Sequence, residues 1–178
     1  MKVLKDHWLG RVRRCPTENC APRPDPEDVS LLVIHNISLP PGRFGTGMVE
    51  ALFQNRLDTG SDSALADLAG VRVSAHLFID RRGRAVQFVP FHQAAWHAGV
   101  SEWCHRSRCN DFAIGIELEG TDDRAYTRAQ YRRLRLVTLA LLRRYPRLSL
   151  QAIVGHQEIA PDRKTDPGPA FDWCAYLS

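Results

Sequence analysis

Two apolar runs of strand length, each ending in a histidine, constrain the fold of this chain most strongly. Residues 31–34 are uniformly apolar and lead into His35 and Asn36, and residues 152–154 lead through a glycine into His156. Continuous apolar runs of this length are typical of strands that are buried on both faces. A polar residue at the carboxyl end of such a strand commonly presents a ligand to a cleft. We therefore predict an α/β domain with a cleft at its strand ends.

The segment that follows His156 is predicted to be a rigid loop. It contains three prolines, Pro161, Pro167 and Pro169. These residues exclude a regular helix or a central strand. Such a loop can hold Lys164 and Asp166 close to His156, and an imidazole, a carboxylate and an ammonium together indicate a metal site with an electrostatic helper. A surface loop with a Lys–Asp pair explains this segment equally well when it is taken alone.

Further strands are predicted at residues 71–79, 85–89 and 113–119. The first two are separated by the turn 80–83 and form a predicted hairpin. In the third, apolar side chains alternate with a second face that carries Glu117 beside Ala113 and Gly115. Because small residues leave open space, we expect Glu117 to lie on the floor of a cleft.

Helices are predicted at residues 48–57, 126–145 and 171–177. The long helix has apolar side chains at helical spacing with arginines opposite, a capping box formed by Thr127 and Gln130, and a stop at Pro146. Residues 1–30 are rich in Pro, Arg and Asp and are predicted to be an irregular lead-in. The length of 178 residues, without an internal repeat, indicates a single domain over residues 1–178.

Composition narrows the classes of function. Apolar content of 44% and charged content of 25% are ordinary for a globular protein. The net charge of +4 comes without a basic stripe and interleaved aromatics, which argues against a nucleic-acid partner. The N-terminus has no apolar signal region, and no run approaches the roughly 18 apolar residues of a membrane helix, so we expect a cytoplasmic protein without a membrane partner.

The five cysteines suit a reducing compartment, because an odd number without a secretion signal favours free thiols. Cys15 and Cys20 have the same spacing as Cys104 and Cys109. A structural zinc site built from these two pairs is a weak alternative, since the pairs are far apart in the sequence.

The polar residues at the predicted strand ends can be combined into one reaction site. His35, His156 and Asp166 make a three-ligand set, which for zinc leaves a fourth position open to water. Glu117 is then a candidate general base for that water and acid for a leaving amine. Lys164 could stabilise the oxyanion of a tetrahedral intermediate. These are the groups that amide hydrolysis requires.

Alternatives remain for most of these residues. His76 and His97 are rival ligands that spacing alone does not exclude, although His76 lies inside a predicted strand and is expected to be a core residue. His97 follows Trp96 and is expected to line the cleft. Glu117 could instead pair with an arginine, and Lys164 could be solvated.

Five segments carry a resemblance to a known family: LLVIHNISLPPG, RVSAHLFID, AWHAGVS, CNDFAIGIELEGTD and GHQEIAPDRKTDPGPAFDW. From residue 8 to residue 173 the chain resembles the cytoplasmic N-acetylmuramoyl-L-alanine amidases of the AmpD type, which recycle peptidoglycan. The resemblance implies the amidase/peptidoglycan-recognition fold, a mixed central sheet packed with helices. It also implies one zinc ion at His35, His156 and Asp166, with Glu117 as proton acceptor and Lys164 as transition-state stabiliser. The choice of His35 over its rivals rests partly on this resemblance.

The same resemblance implies that five residues line a cleft for an anhydro-muropeptide: Asn36, Arg72, Trp96, His97 and Arg108. An arginine offers a forked grip on a peptide carboxylate, and Trp96 offers a flat face to a sugar ring. Arg72 and Arg108 could equally be structural ion-pair partners.

The leading hypothesis is therefore a zinc amidase, expected to be a monomer, that cleaves the bond between anhydro-muramic acid and L-alanine. A non-catalytic muropeptide sensor on the same fold is the alternative of a different class, but a pure binder has no need of all five metal-site and catalytic residues. An amidase that acts on intact cell wall is a further alternative, which the missing signal peptide disfavours.

Overall fold

The computed structural model describes residues 1–177. Its strands, in chain order, are β1 (Arg13–Arg14), β2 (Cys20–Pro22), β3 (Leu31–Ile37), β4 (Leu77–Ile79), β5 (Ala85–Gln87), β6 (Gln93–Ala95), β7 (Glu102–Trp103), β8 (Arg106–Ser107), β9 (Ala113–Glu119) and β10 (Ile153–Gly155). Six of them form the central sheet, in the order β1-β5-β4-β9-β3-β10. The remaining four form two small ribbons, β2 with β6 and β7 with β8.

The central sheet is mixed. Its neighbours run parallel except for β4 and β5, which form an antiparallel pair. The predicted mixed sheet flanked by helices is thus confirmed. The longest pairing joins β3 to β9 at the centre of the sheet, where strands are covered on both faces. This explains the uniformly apolar run at residues 31–34.

Within residues 1–177, four α-helices accompany the sheet: α1 (Met48–Phe53), α2 (Arg128–Arg144), α3 (His156–Ile159) and α4 (Trp173–Leu177). The capping box of α2 is confirmed, because the Thr127 hydroxyl accepts from the Gln130 amide at 3.1 Å and Gln130 Oε1 accepts from the Thr127 amide at 3.0 Å. Among the helices described, none has the length and apolar character that crossing a membrane would demand.

The two faces of the sheet are covered by different parts of the chain. On one face, Leu32, Ile34 and Ile116 pack in a cluster with Leu134 and Leu141 of α2. On the other face, a smaller cluster joins β3 and β10 to α3 and to the segments before β9; its members include Leu31, Val33, Ala98, Phe112, Val154 and Ile159. Since side chains alternate along a strand, His35 shares this second face with Leu31 and Val33.

Several predicted boundaries are corrected. The predicted strand 71–79 is regular only at 77–79, because the Ser74 amide donates to the Trp96 carbonyl rather than to a neighbouring strand of the sheet. The helix predicted at 48–57 ends at Phe53, since Asn55 has a φ of 56° and so leaves the helical conformation. The lead-in 1–30 is not wholly irregular, as β1 extends the sheet and β2 pairs with β6.

Candidate active site

Three neighbouring parallel strands bring three of the expected functional residues to one level. In the β3–β9 register His35 lies opposite Glu117, and cross-strand neighbours point to the same face of a sheet. In the β3–β10 register Gly155 lies opposite Ile34, so that the following residue, His156, comes level with His35. Glu117, His35 and His156 therefore stand side by side at the carboxyl ends of β9, β3 and β10.

Asp166 completes a compact cluster with the two histidines. Its carboxylate oxygens lie 3.1 Å from the Nδ1 atoms of both His35 and His156. One ligand atom from each of the three residues lies within 4.8 Å of the others, and within residues 1–177 this is the only group of three or more metal-binding side chains. Cys15, Cys20, Cys104 and Cys109 are free thiols, and within the described residues they form no such group.

Gly155 allows the Asp166 loop to approach. A Cβ atom at this position would lie 2.5 Å from Pro167 Cδ. The loop is held from the other side, where the Gln157 amide donates to the Asp166 carbonyl at 3.1 Å and the Tyr126 hydroxyl donates to the Pro167 carbonyl at 2.8 Å. The proline-rich segment is thus fixed directly against the strand ends.

The donor set fits a divalent metal ion. The side chains of His35 and His156 are 1% and 3% exposed, and burial lowers the pKa of His35 to about 4, so this ring is neutral as metal binding requires. His156 Nε2 lies 3.2 Å from the Ala98 carbonyl oxygen. Because this oxygen can only accept a hydrogen bond, His156 carries its ring proton on Nε2. The His156 Nδ1 lone pair then faces a carboxylate, and a shared cation satisfies both.

Asp166 is ionised in this cluster. Burial raises the pKa of its carboxyl group, but the close contacts with the His156 and His35 rings outweigh this effect and lower the pKa overall. A carboxylate between two neutral imidazoles supplies the one negative ligand of a two-histidine, one-carboxylate set, which is a ligand set that suits zinc.

Glu117 has a different environment from Asp166. Its Oε2 atom is shielded from solvent and has no hydrogen-bond partner within the described residues. Burial, together with the nearby Asp166 charge, raises the pKa of Glu117 well above its usual value. A carboxyl group with an unpaired oxygen and a raised pKa is suited to accept and release a proton.

The Lys164 ammonium places a positive charge near His35 and Glu117. Its ammonium lowers the pKa of both His35 and Glu117, although burial has the larger effect on each group. Among residues 1–177 it has no carboxylate partner within 4.0 Å, while its backbone amide is fixed by the Ala160 carbonyl at 2.9 Å. The charge is therefore available to a ligand in the cleft.

The two rival histidines occupy different positions. His76 is fully buried, and its Nδ1 accepts from the Gly115 amide at 3.0 Å, so the expectation of a core residue is met. His97 lies beside the cluster of His35, His156 and Asp166, with its Nδ1 atom 2.9 Å from His35 Nε2. The expected open space next to Glu117 is absent on one side, because the His97 ring covers Gly115 so closely that a Cβ atom there would lie 2.3 Å from His97 Cγ.

The other expected substrate residues make contacts of their own. Asn36 donates to the Asp122 carboxylate at 2.7 Å. Arg72 lies over the Trp96 ring at 5.8 Å and also borders a cavity of about 480 Å³. Trp96 and Arg108 line a second cavity of about 260 Å³, and Arg108 pairs with Asp111 at 3.0 Å. Both arginines are exposed, so their charged ends can reach a ligand.

Sequence reasoning missed three residues that fix the site: Asn110, Tyr126 and Arg163. Asn110 accepts from two backbone amides beside His97, and Arg163 donates to the Ala98 carbonyl. Asn110 and Arg163 belong to segments already singled out for their motifs, but their partners are backbone groups, which no side-chain pattern reveals.

Residues 25–169 match the protein family described as N-acetylmuramoyl-L-alanine amidase. The chain belongs to this family. The enzyme "1,6-anhydro-N-acetylmuramyl-L-alanine amidase AmpD" of Citrobacter freundii is 54% identical over 174 residues, covering 98% of this chain and 92% of that protein. A crystal structure of a selenomethionine AmpD derivative superposes with a TM-score of 0.94 at 54% identity, over 97% of this chain and 96% of that one.

A third relative was solved with a ligand. The Escherichia coli amidase AmiD, in complex with the substrate anhydro-N-acetylmuramic acid-L-Ala-D-gamma-Glu-L-Lys, is 29% identical with a TM-score of 0.62, over 91% of this chain and 59% of that one. The comparisons confirm the resemblance drawn from the sequence motifs and the prediction of an amidase. The assignment of residues 1–178 to a single domain stays a prediction.

Proposed function

We propose that this amidase hydrolyses the bond between 1,6-anhydro-N-acetylmuramic acid and L-alanine in muropeptides, with one zinc ion held by His35, His156 and Asp166. The observation that carries the proposal is the convergence of these three ligand groups beside the unpaired Glu117 Oε2 atom. The substrate is proposed by analogy with the AmpD relatives, whose name specifies it, and with the ligand bound to AmiD.

The protein groups divide the chemistry of hydrolysis between them. A zinc ion at this site would polarise the amide carbonyl and lower the pKa of a water molecule to about 7. Glu117 accepts a proton from the attacking water and delivers it to the amide nitrogen as the C–N bond breaks. The products are the lactyl carboxylate of the sugar and a stem peptide with a free amino group. Lys164 stabilises the negative charge that develops on the carbonyl oxygen.

The remaining proposed contacts hold the substrate. Trp96 offers a flat ring to the sugar. Arg72, which lies over this ring, and Arg108, which lines a cavity with it, offer two cations to the carboxylates of the peptide. His97 contacts the ligand His35, and Asn36 follows His35 in β3; both are proposed to help hold the substrate. We further propose a role in peptidoglycan recycling. The protein is proposed to act as a monomer, without nucleic-acid or membrane partners. Its cytoplasmic location stays a prediction.

A product assay tests the proposal. Purified protein is incubated with anhydro-muramoyl-tripeptide, with and without a chelator, and the products are identified by mass spectrometry. We expect release of free tripeptide that stops on chelation and returns with zinc. Binding of the muropeptide without release would favour the sensor. Parallel reactions with the non-anhydro muropeptide and with intact sacculi test the anhydro sugar requirement and the cell-wall alternative.

Substitution of Glu117 tests the proposed base. Glu117→Gln keeps the size of the side chain but removes the proton acceptor, so kcat should fall by about 10² to 10⁴-fold while zinc content is unchanged. Glu27→Gln is the matched control, because this glutamate is exposed in the lead-in. Near-normal turnover of Glu117→Gln would exclude Glu117 as the base.

Substitution of Lys164 separates two possible roles. A group that acts on the oxyanion stabilises mainly the transition state, so Lys164→Ala should lower kcat more than it raises KM. A change in KM alone would instead assign Lys164 to substrate binding. Steady-state kinetics on the muropeptide distinguish the two results.

A further inference from the structure

One short turn contacts both histidines of the proposed metal site. We call His97, Ala98 and Gly99 the support turn. His35 Nε2 lies 2.9 Å from His97 Nδ1, and His156 Nε2 lies 3.2 Å from the Ala98 carbonyl oxygen. Two consecutive residues, His97 and Ala98, therefore contact the outer nitrogens of two rings that lie far apart in the sequence.

These contacts set which nitrogen of each ring carries the proton. A carbonyl only accepts, so His156 carries its proton on Nε2 and keeps the Nδ1 lone pair for the cluster. A bond between two imidazole nitrogens needs one donor and one acceptor. With the His35 Nδ1 lone pair also directed at the cluster, His35 Nε2 donates and His97 Nδ1 accepts.

The support turn is itself held by side chains that do not belong to the three proposed metal ligands. Asn110 Oδ1 accepts from the His97 amide at 3.1 Å and from the Ala98 amide at 2.9 Å. The Asn110 backbone carbonyl accepts in turn from the buried Arg23 guanidinium at 2.9 Å. One side-chain oxygen thus fixes the backbone of both residues that contact the rings.

Arg163 also holds the support turn. Its Nη2 donates to the Ala98 carbonyl at 2.7 Å and to the Val100 carbonyl at 2.8 Å. Gly99 permits this approach, because it has a φ of +59° and a Cβ atom there would lie 3.2 Å from Arg163 Nη2. Arg163 precedes Lys164, so the same contact ties the support turn to the loop that carries Lys164 and Asp166.

We propose that the support turn, fixed by Asn110 and Arg163, positions both histidine rings and thereby sets the affinity of the site for its metal ion. This inference rests on the proposed zinc site and extends it to residues that are not themselves ligands of the metal ion. Groups that orient metal ligands typically change metal affinity by about 10- to 100-fold when they are removed. His97, Asn110 and Arg163 are positioning residues in this sense.

The first test removes and restores the acceptor at His97. His97→Leu has no acceptor for the His35 proton, and it should weaken zinc binding by about 10- to 100-fold. His97→Asn puts an amide oxygen close to the position of the imidazole Nδ1 atom, so it should recover most of the lost affinity. Zinc affinity is measured by competition with a chromophoric chelator, and the visible spectrum of the cobalt-loaded protein reports the ligand geometry.

The second test acts through the backbone of the turn. Asn110→Ala leaves two amides without their acceptor and should weaken zinc binding, whereas Asn110→Asp keeps an oxygen in place and should retain it. Arg163→Met should also weaken zinc binding. Arg147→Met is its matched control, because Arg147 is an exposed arginine that pairs with Asp25 away from the turn. Thermal unfolding of the metal-free proteins checks that each variant is folded.

The outcomes separate this inference from the proposed function. If the parent protein binds zinc and His97→Leu, Asn110→Ala and Arg163→Met bind it within twofold of the parent, the inference is wrong and the zinc site stands. If His97→Asn binds as weakly as His97→Leu, the acceptor is not what positions His35, and the inference is equally overturned. A folded parent protein that binds no zinc would overturn both.

Discussion

Gly115→Ala tests how closely the sheet, the His97 ring and the proposed metal site depend on one another. The new Cβ atom would lie 2.3 Å from His97 Cγ, whereas carbon atoms in contact are about 3.5 to 4.0 Å apart. The His97 ring must therefore retreat by roughly 1.2 to 1.7 Å, the difference between that contact range and the overlap.

A movement of this size breaks the contact with His35. His97 Nδ1 is 2.9 Å from His35 Nε2, so the ring cannot move closer, and a retreat of more than 1 Å takes the pair beyond hydrogen-bonding distance. Overpacking of a core typically costs about 1 to 3 kcal/mol. The opposing gain from replacing a strand glycine by alanine is only about 0.5 to 1 kcal/mol. We therefore expect a net destabilisation of up to about 2.5 kcal/mol and weaker zinc binding.

Urea unfolding of the metal-free protein gives the change in free energy, and chelator competition gives the change in zinc affinity. Gly60→Ala is the control, because a Cβ atom there would meet only the exposed Asp58 side chain, at 3.4 Å. If Gly115→Ala matched the parent protein in both measurements, the close packing of His97 on β9 would not matter for the site, and the reasoning above would be refuted.

Two further predictions concern stability. In the metal-free protein the pKa of Glu117 is raised, so the folded state holds a proton that the unfolded state has lost, and stability falls as the pH rises above about 4.5 towards the folded pKa. The gain in unfolding free energy from Glu117→Gln should therefore grow over this range in urea titrations, and a gain that is constant with pH would contradict the assigned shift. Thr127→Ala should lower the unfolding free energy by about 1 to 2 kcal/mol through loss of the α2 cap, and Thr127→Ser should not.

The features that follow from local rules were predictable from the sequence. The apolar runs before His35 and His156 identified two strands of the main sheet, β3 and β10. The Thr127–Gln130 pair identified the start of α2, because periodicity and capping act over a few residues. The proline-rich loop was recognised for the same reason. The strand predicted at 71–79 was too long because its apolar pattern reflects burial among loops as well as pairing in the sheet.

The relation of His97 to the site was not predictable in the same way. The sequence shows an imidazole next to Trp96, which is consistent with a cleft residue, a ligand or a supporting residue. Only the packing of the His97 ring on Gly115 and its contact with His35 distinguish these roles. Both contacts join segments that are far apart in the chain, and spacing carries no information about them.

The register of the central sheet makes this assembly possible. His35 and Asp166 are separated by 131 positions in the chain, yet their atoms lie 3.1 Å apart. A shift of β3 by one residue would turn His35 to the α2 face and bring Ile34 into its place, because side chains alternate along a strand. The same shift would expose Leu32 and Ile34 to the cleft side and remove them from the main core. Burial of the apolar side chains and assembly of the site therefore select the same register, so the hydrophobic core itself positions His35 beside Glu117 and His156.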